Sequence, residues 1–242
     1  MDKLIFTAAS GAERLMRAQQ VHANNLANLD TAGFRASLEV AGQARPAGGY
    51  GYDDVHMANQ QADTVSTRAG VVRETGRPLD VAIGGQGYLA VQYNGLEAYT
   101  RSGEIELGAD GALSIHGNPL MGEGGPIVLP PHTAVEIGTD GTISVLTEGA
   151  TQMQVVDKLR LVNGEGTELT KNEAGLLVSR TGADLAADPA VSVRPRSLEG
   201  SNVSAIEEMV ATMSLNRSFE LQMKLFQASD KMNETGNKLI GV

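Results

Sequence analysis

Apolar residues near the start of the chain recur at threes and fours: Leu4, Ile5, Ala8, Ala12, Leu15, Met16, Leu26 and Leu29, without proline and with Gly11 as the one weak point. That period predicts an amphipathic helix over residues 3–29. It closes on Ala23-Asn24-Asn25-Leu26-Ala27-Asn28, amides where a folded core would want apolar groups. Asn24 and Asn28 stand four apart, share a helix face and can present hydrogen-bonding groups along one seam. Thr31-Ala32-Gly33-Phe34-Arg35 follows, in which Gly33 suits the left-handed position that ends many helices and Phe34 can fold back as an apolar latch.

Over residues 36–75 the period fades into Gly, Gln, Ala and Asp, which predicts an extended connector. It then changes to two. Leu79-Asp80-Val81-Ala82-Ile83 alternates, a Gly84-Gly85-Gln86-Gly87 turn follows, and Tyr88-Leu89-Ala90-Val91-Gln92 resumes before Asn94-Gly95. This predicts a hairpin meander opening a β-rich domain over residues 76–198. Within it Gly108-Ala109-Asp110-Gly111-Ala112-Leu113-Ser114-Ile115 is echoed by Gly138-Thr139-Asp140-Gly141-Thr142-Ile143-Ser144-Val145 at an offset of thirty. Two copies predict a recurring hairpin rather than a solenoid.

Residues 199–242 return to a helical period. Ser204 and Glu207 have the spacing of a capping box. Leu221, Leu225, Ala228, Met232, Thr235 and Leu239 then step by four and three as a heptad seam, with Arg217, Lys224, Lys231 and Lys238 seven apart beside it and Glu220 and Glu234 each four before a lysine. Ile206, Met209, Met213, Phe219, Met223 and Phe226 make a second stripe. One partner helix cannot cover both, so the terminal helices are expected to pair with each other and leave apolar surface for neighbouring molecules. The expected fold is α+β: long N- and C-terminal helices pairing as a coiled-coil-like core, with a mainly antiparallel β domain inserted between them.

Composition narrows the function classes. The formal charge of −10 is concentrated in the middle, where residues 31–200 carry −9, so nucleic acid is a poor partner. Cysteine is absent, which removes disulfides and thiolate chemistry. No stretch approaches the roughly 20 apolar residues of a membrane span, so no membrane insertion is expected. Asp2, Glu13 and Arg14 argue against a cleavable secretory signal. The four histidines, His22, His56, His116 and His132, are scattered, and no phosphate loop, dinucleotide fingerprint or metal motif occurs. No catalytic, cofactor or metal residues are expected, nor an enzyme. A wall-trimming glycosidase would need two convergent carboxylates, and no pair stands out.

With both ends in view, the chain resembles the bacterial flagellar axial proteins, and among them the basal-body rod proteins. The resemblance rests on the run Ala23 to Arg35, the segment Leu79 to Tyr88 and the motif Leu198-Glu199-Gly200-Ser201-Asn202-Val203, in that order along essentially the whole chain. Its opening residues and length are most like proximal-rod members, while distal-rod members share all three motifs. The resemblance implies a structural axial subunit of the torque-transmitting rod, within the periplasm. It implies export by the flagellar type III apparatus and contacts with itself and other proximal- and distal-rod subunits. Asn24, Asn25, Leu26, Asn28, Phe34, Met209, Met213, Leu221, Leu225, Met232 and Leu239 are the expected subunit-interface residues, with the asparagines fixing register. The terminal helices are expected to order fully only on assembly.

Overall fold

The computed structural model describes residues 2–44, 57–165 and 168–240. The chain divides into two compact units, unit 1 comprising Met1–Ala27, Ser37–Asp63 and Ser204–Val242, and unit 2 comprising Asn28–Ala36 and Thr64–Val203. Helix α1 (Asp2–Ala27) is followed by β1 (Ser37–Ala44) and β2 (Met57–Val65), which pair with each other inside the segment expected as a connector. The Gly-rich residues 45–51 lie outside the described residues. Next come β3 (Val72–Glu74), β4 (Val81–Gly84), β5 (Tyr88–Tyr93), β6 (Leu96–Thr100), β7 (Glu106–Leu107), β8 (Leu113–Ile115), β9 (Asn118–Pro119), β10 (Met121–Gly122) and β11 (Gly125–Pro126). Then follow β12 (His132–Ile137), β13 (Thr142–Thr147), β14 (Gln154–Lys158), β15 (Leu161–Val162), β16 (Leu169–Lys171), β17 (Leu177–Ser179), β18 (Ser192–Pro195), β19 (Ser197–Glu199) and finally α2 (Ala205–Ile240).

Unit 2 is built on a five-stranded sheet in the order β15-β5-β6-β17-β16, with β12-β13-β14 and β7-β8-β9 as smaller sheets. Its strand β5 is buried from Tyr88 to Val91 on both faces. Because side chains alternate, Leu89 and Val91 enter one apolar cluster with Ile105, Ile115, Ile143 and Val145, while Tyr88 and Ala90 enter a second with Tyr99, Val162 and Leu169. Each buried Leu or Ile contributes about 1.5–3 kcal/mol of apolar transfer.

Turn chemistry explains much of the rest. Asn94 and Gly95, at φ 50° and 80°, make the two-residue turn from β5 to β6, where both positions need left-handed backbone. The echoed Asp-Gly segments form the same turn twice: Gly111 and Gly141 each donate at 3.0 Å to Gly108 and Gly138, and Leu129 and Leu159 close each copy by donating back to Gly111 and Gly141 at 2.8 and 2.9 Å. The hairpin expected between Leu79–Ile83 and Tyr88–Gln92 does not form. Instead β4 pairs with β18, Ile83 opposite Val193. The glycine turn re-aims the chain, since a Cβ on Gly87 would fall 2.6 Å from a Val191 methyl.

In unit 1 the two helices run antiparallel, with Gly11 against Gln222 and His22 against Glu208. Ser204 caps α2, its hydroxyl accepting the Glu207 N–H at 3.4 Å. The expected coiled-coil-like core is overturned. The heptad seam is the outer face of α2: Leu221, Leu225 and Met232 are 62, 55 and 57% exposed. The positions turned inward are Gly11, Leu15, Ala18, His22 and Asn25 on α1, and Glu208, Thr212, Leu215, Phe219, Gln222, Phe226 and Ser229 on α2. Small and polar groups share that face with a few large apolar ones. Knobs of Leu and Met that would make a coiled-coil seam point away from it.

Candidate functional site

Two constructions stand out from the frame, one in each unit. In unit 1 the amide run is resolved into distinct roles. Asn25 is buried, and its side chain clamps the start of β1: Oδ1 accepts the Ser37 N–H at 2.9 Å and Nδ2 donates to the Ser37 carbonyl at 3.1 Å. Nδ2 also reaches the Glu208 carboxylate at 3.2 Å, and the other oxygen of that carboxylate meets His22 Nδ1. One asparagine therefore joins α1, β1 and α2. Asn24 is exposed, Leu26 and Asn28 are half-buried, and Asn28 accepts the Thr31 hydroxyl at 3.1 Å.

The outer face of α2 carries Met209, Met213, Leu221, Leu225 and Met232, each half exposed or more, with Ile206 and Val210 extending the strip at 76 and 62%. The exposed apolar residues of α2 thus fall in two groups along the helix, residues 206–213 and residues 221–232. Four of the strip's neighbours, Arg217, Lys224, Lys231 and Lys238, are also exposed, and Lys238 pairs with Glu234 at 2.7 Å. The Leu239 side chain lies outside the described residues, as do those of Leu4 and Ile5.

In unit 2 the residues following α1 and preceding α2 meet in a buried charge cluster. Glu199 receives Arg35 on one carboxylate oxygen and Arg101 on the other, both at 2.9 Å, and all three side chains are no more than 3% exposed. The Gly70 N–H donates to the same carboxylate at 2.7 Å, and Arg101 also donates to the Gly85 carbonyl. Burial first, and the neighbouring Arg101 charge second, hold the Arg35 guanidinium below its ordinary value, while Glu199 pushes it back. Phe34 is half-buried with Lys171 Nζ 3.7 Å from its ring centroid, and that ammonium donates to the Arg35 carbonyl at 2.6 Å. Burial brings Lys171 down to about 8.

Two further residues complete this arrangement. The Gly33 N–H, at φ 67°, donates to the Glu199 carbonyl at 2.7 Å, and a Cβ there would overlap the Arg101–Ser102 backbone. Asn202 binds the backbone of residues 34, 36, 66 and 68. Sequence reasoning did not single out Arg35, Arg101, Glu199 or Asn202 as site residues, although three of them stand inside the motifs that carry the resemblance. Among the described residues no group of three or more His, Asp or Glu is placed to hold a metal ion, and no helix is long and apolar enough to cross a membrane.

A β-rich body joined to a pair of terminal helices, one with an apolar outer face, defines a structural subunit made to associate. Three family descriptions match the chain: flagella basal body rod protein over residues 5–35, the flagellar hook protein FlgE/F/G D1 domain over 82–145, and flagellar basal body rod FlgEFG protein C-terminal over 194–239. Over its full length the chain is 39% identical to the flagellar basal-body rod protein FlgF of Salmonella typhimurium and 38% identical to that of Escherichia coli, covering 100% of each. It is 28% identical, over 96% of its length, to the flagellar basal-body rod protein FlgG of Caulobacter vibrioides, of which 97% is covered. The chain belongs to the flagellar basal-body rod protein family and is a FlgF-like structural subunit of the rod, associating with other rod subunits in the flagellar basal body.

Proposed function

We propose that the chain occupies the proximal rod and polymerises through its terminal helices, as part of the shaft that transmits torque. The observation that carries this is the outer strip of α2, apolar and open where a folded monomer would hide it. On this reading Met209, Met213, Leu221, Leu225 and Met232 contact neighbouring subunits, Leu239 continues the same register, and Asn24, Leu26, Asn28 and Phe34 face neighbours near the end of α1. Asn25 serves the interface from within, by holding α1, β1 and α2 together. Head-to-tail contacts of this heterologous kind extend into helical polymers rather than closing on two subunits.

The higher identity to the two FlgF relatives than to the FlgG relative supports a proximal position. Residues 76–198 would form the outer, β-rich part, and residues 1–35 and 199–242 the inner helical layer. The subunit would travel through the flagellar export apparatus and stand within the periplasm, bound to itself and to proximal- and distal-rod neighbours.

The test is complementation. In a cell lacking the chromosomal gene, the wild-type chain restores swimming, and a chain carrying Leu221→Glu with Leu225→Glu does not, although it is made and exported. Swimming restored equally by both would contradict the proposed interface.

A further inference from the structure

We propose that Asn202 is a positioning residue, which fixes the spacing and direction of the segments of unit 2 that run on into the terminal helices and the β1–β2 hairpin; this rests on the rod reading above. Chain passes from one unit to the other after residues 27, 36, 63 and 203. Groups that Asn202 binds lie within five residues of the passages after 36 and 63, and Asn202 itself stands one residue before the passage after 203. Its N–H donates to the Phe34 carbonyl at 3.2 Å, and its Oδ1 accepts the Ala36 N–H at 2.7 Å. Its Nδ2 donates to the Arg68 carbonyl at 2.8 Å and to the Ser66 carbonyl at 3.4 Å. Ser66 in turn donates to the Ala36 carbonyl at 2.9 Å. One amide side chain thus does the work of a strand ladder for segments that have no ladder of their own here.

Glu199 anchors that amide. Three residues upstream of Asn202, its carbonyl and carboxylate bind Gly33, Gly70, Arg35 and Arg101, and Gly200 donates to the Val71 carbonyl at 2.9 Å. A Cβ on Gly70 would overlap the Gly200 carbonyl, so these segments lie closer than side chains permit. Asn202 belongs to neither apolar cluster of unit 2, so its removal leaves the core of that unit packed. In a polymer held by helices, the geometry of the subunit is set where those helices continue from the β-rich body. The arrangement of backbone around Asn202 is therefore a determinant of assembly distinct from stability.

The experiment compares the wild-type chain, Asn202→Ala and Asn202→Asp, each full length, in cells lacking the chromosomal gene and as purified protein. Asn202→Ala is expected to melt within about 3 °C of wild type, to exchange the Ala36 amide about tenfold faster or more, and to lose most incorporation into isolated basal bodies. Asn202→Asp keeps the acceptor for Ala36 and is expected to recover part of both the protection and the incorporation. Wild-type incorporation of Asn202→Ala, or a loss that simply tracks a large fall in melting temperature, would overturn the inference while the wild-type chain still restores swimming. Failure of the wild-type chain itself would overturn the rod reading, and this inference with it.

Discussion

The two units invert one another. Unit 2 is apolar within: Leu89, Val91, Ile105, Ile115, Ile143 and Val145 have essentially no exposure. In unit 1 the two helices meet around Gln222 and the group formed by His22, Asn25 and Glu208, while the richest apolar strip of α2 faces outward. On the reading proposed above, the outer strip of unit 1 is the surface that neighbouring subunits cover.

Substitutions that break this contrast should rank by where they fall. The largest loss of stability is expected at the buried cluster of unit 2, where Glu199→Gln leaves Arg35 and Arg101 without their shared counter-charge, at a cost of about 3–5 kcal/mol by urea unfolding. Leu89→Ala opens a cavity in a fully packed sheet and should cost about 2–5 kcal/mol in the same measurement.

A smaller effect sharpens the electrostatics of unit 2. Lys171 should titrate near pH 8 when followed by NMR of its side chain, against about 10.4 for an ordinary lysine. Its folded pKa lies below its unfolded one, so between these values the folded chain binds fewer protons, and this group's contribution to stability rises with pH through that window. Titration above 10 would show that the ammonium is solvated rather than enclosed with Phe34. The smallest effect is expected on the outer strip: Leu221→Ala should alter the stability of the free chain by no more than about 0.5 kcal/mol.

That contrast also marks what could be read from sequence. Local chemistry was legible: both terminal helices, the Asn94-Gly95 turn and the paired Asp-Gly turns follow from period and from backbone positions that need glycine. The period of α2 revealed that an apolar seam exists, and it carries no information on whether the seam meets α1 or another molecule. The inner face of the helix pair is not legible because Gly11, His22, Glu208 and Gln222 carry no apolar period, Asn25 is expected to face a neighbour, and their complementarity appears only once the helices are antiparallel. Pairing of β4 with β18 joins residues that share no local signal. Nothing local in the sequence marks Arg35, Arg101 and Glu199 as a buried cluster. Their burial depends on three distant segments arriving together.

The central claim is that the outer strip of α2 is closed by neighbours in the rod, and the absence of cysteine allows it to be tested at one atom. Leu225→Cys gives a single thiol, whose reaction with a maleimide is followed in the dilute purified chain and in isolated basal bodies containing the same variant. Rapid labelling of the free chain and strong protection in the assembled rod is the predicted result. Equal labelling in both states would contradict it.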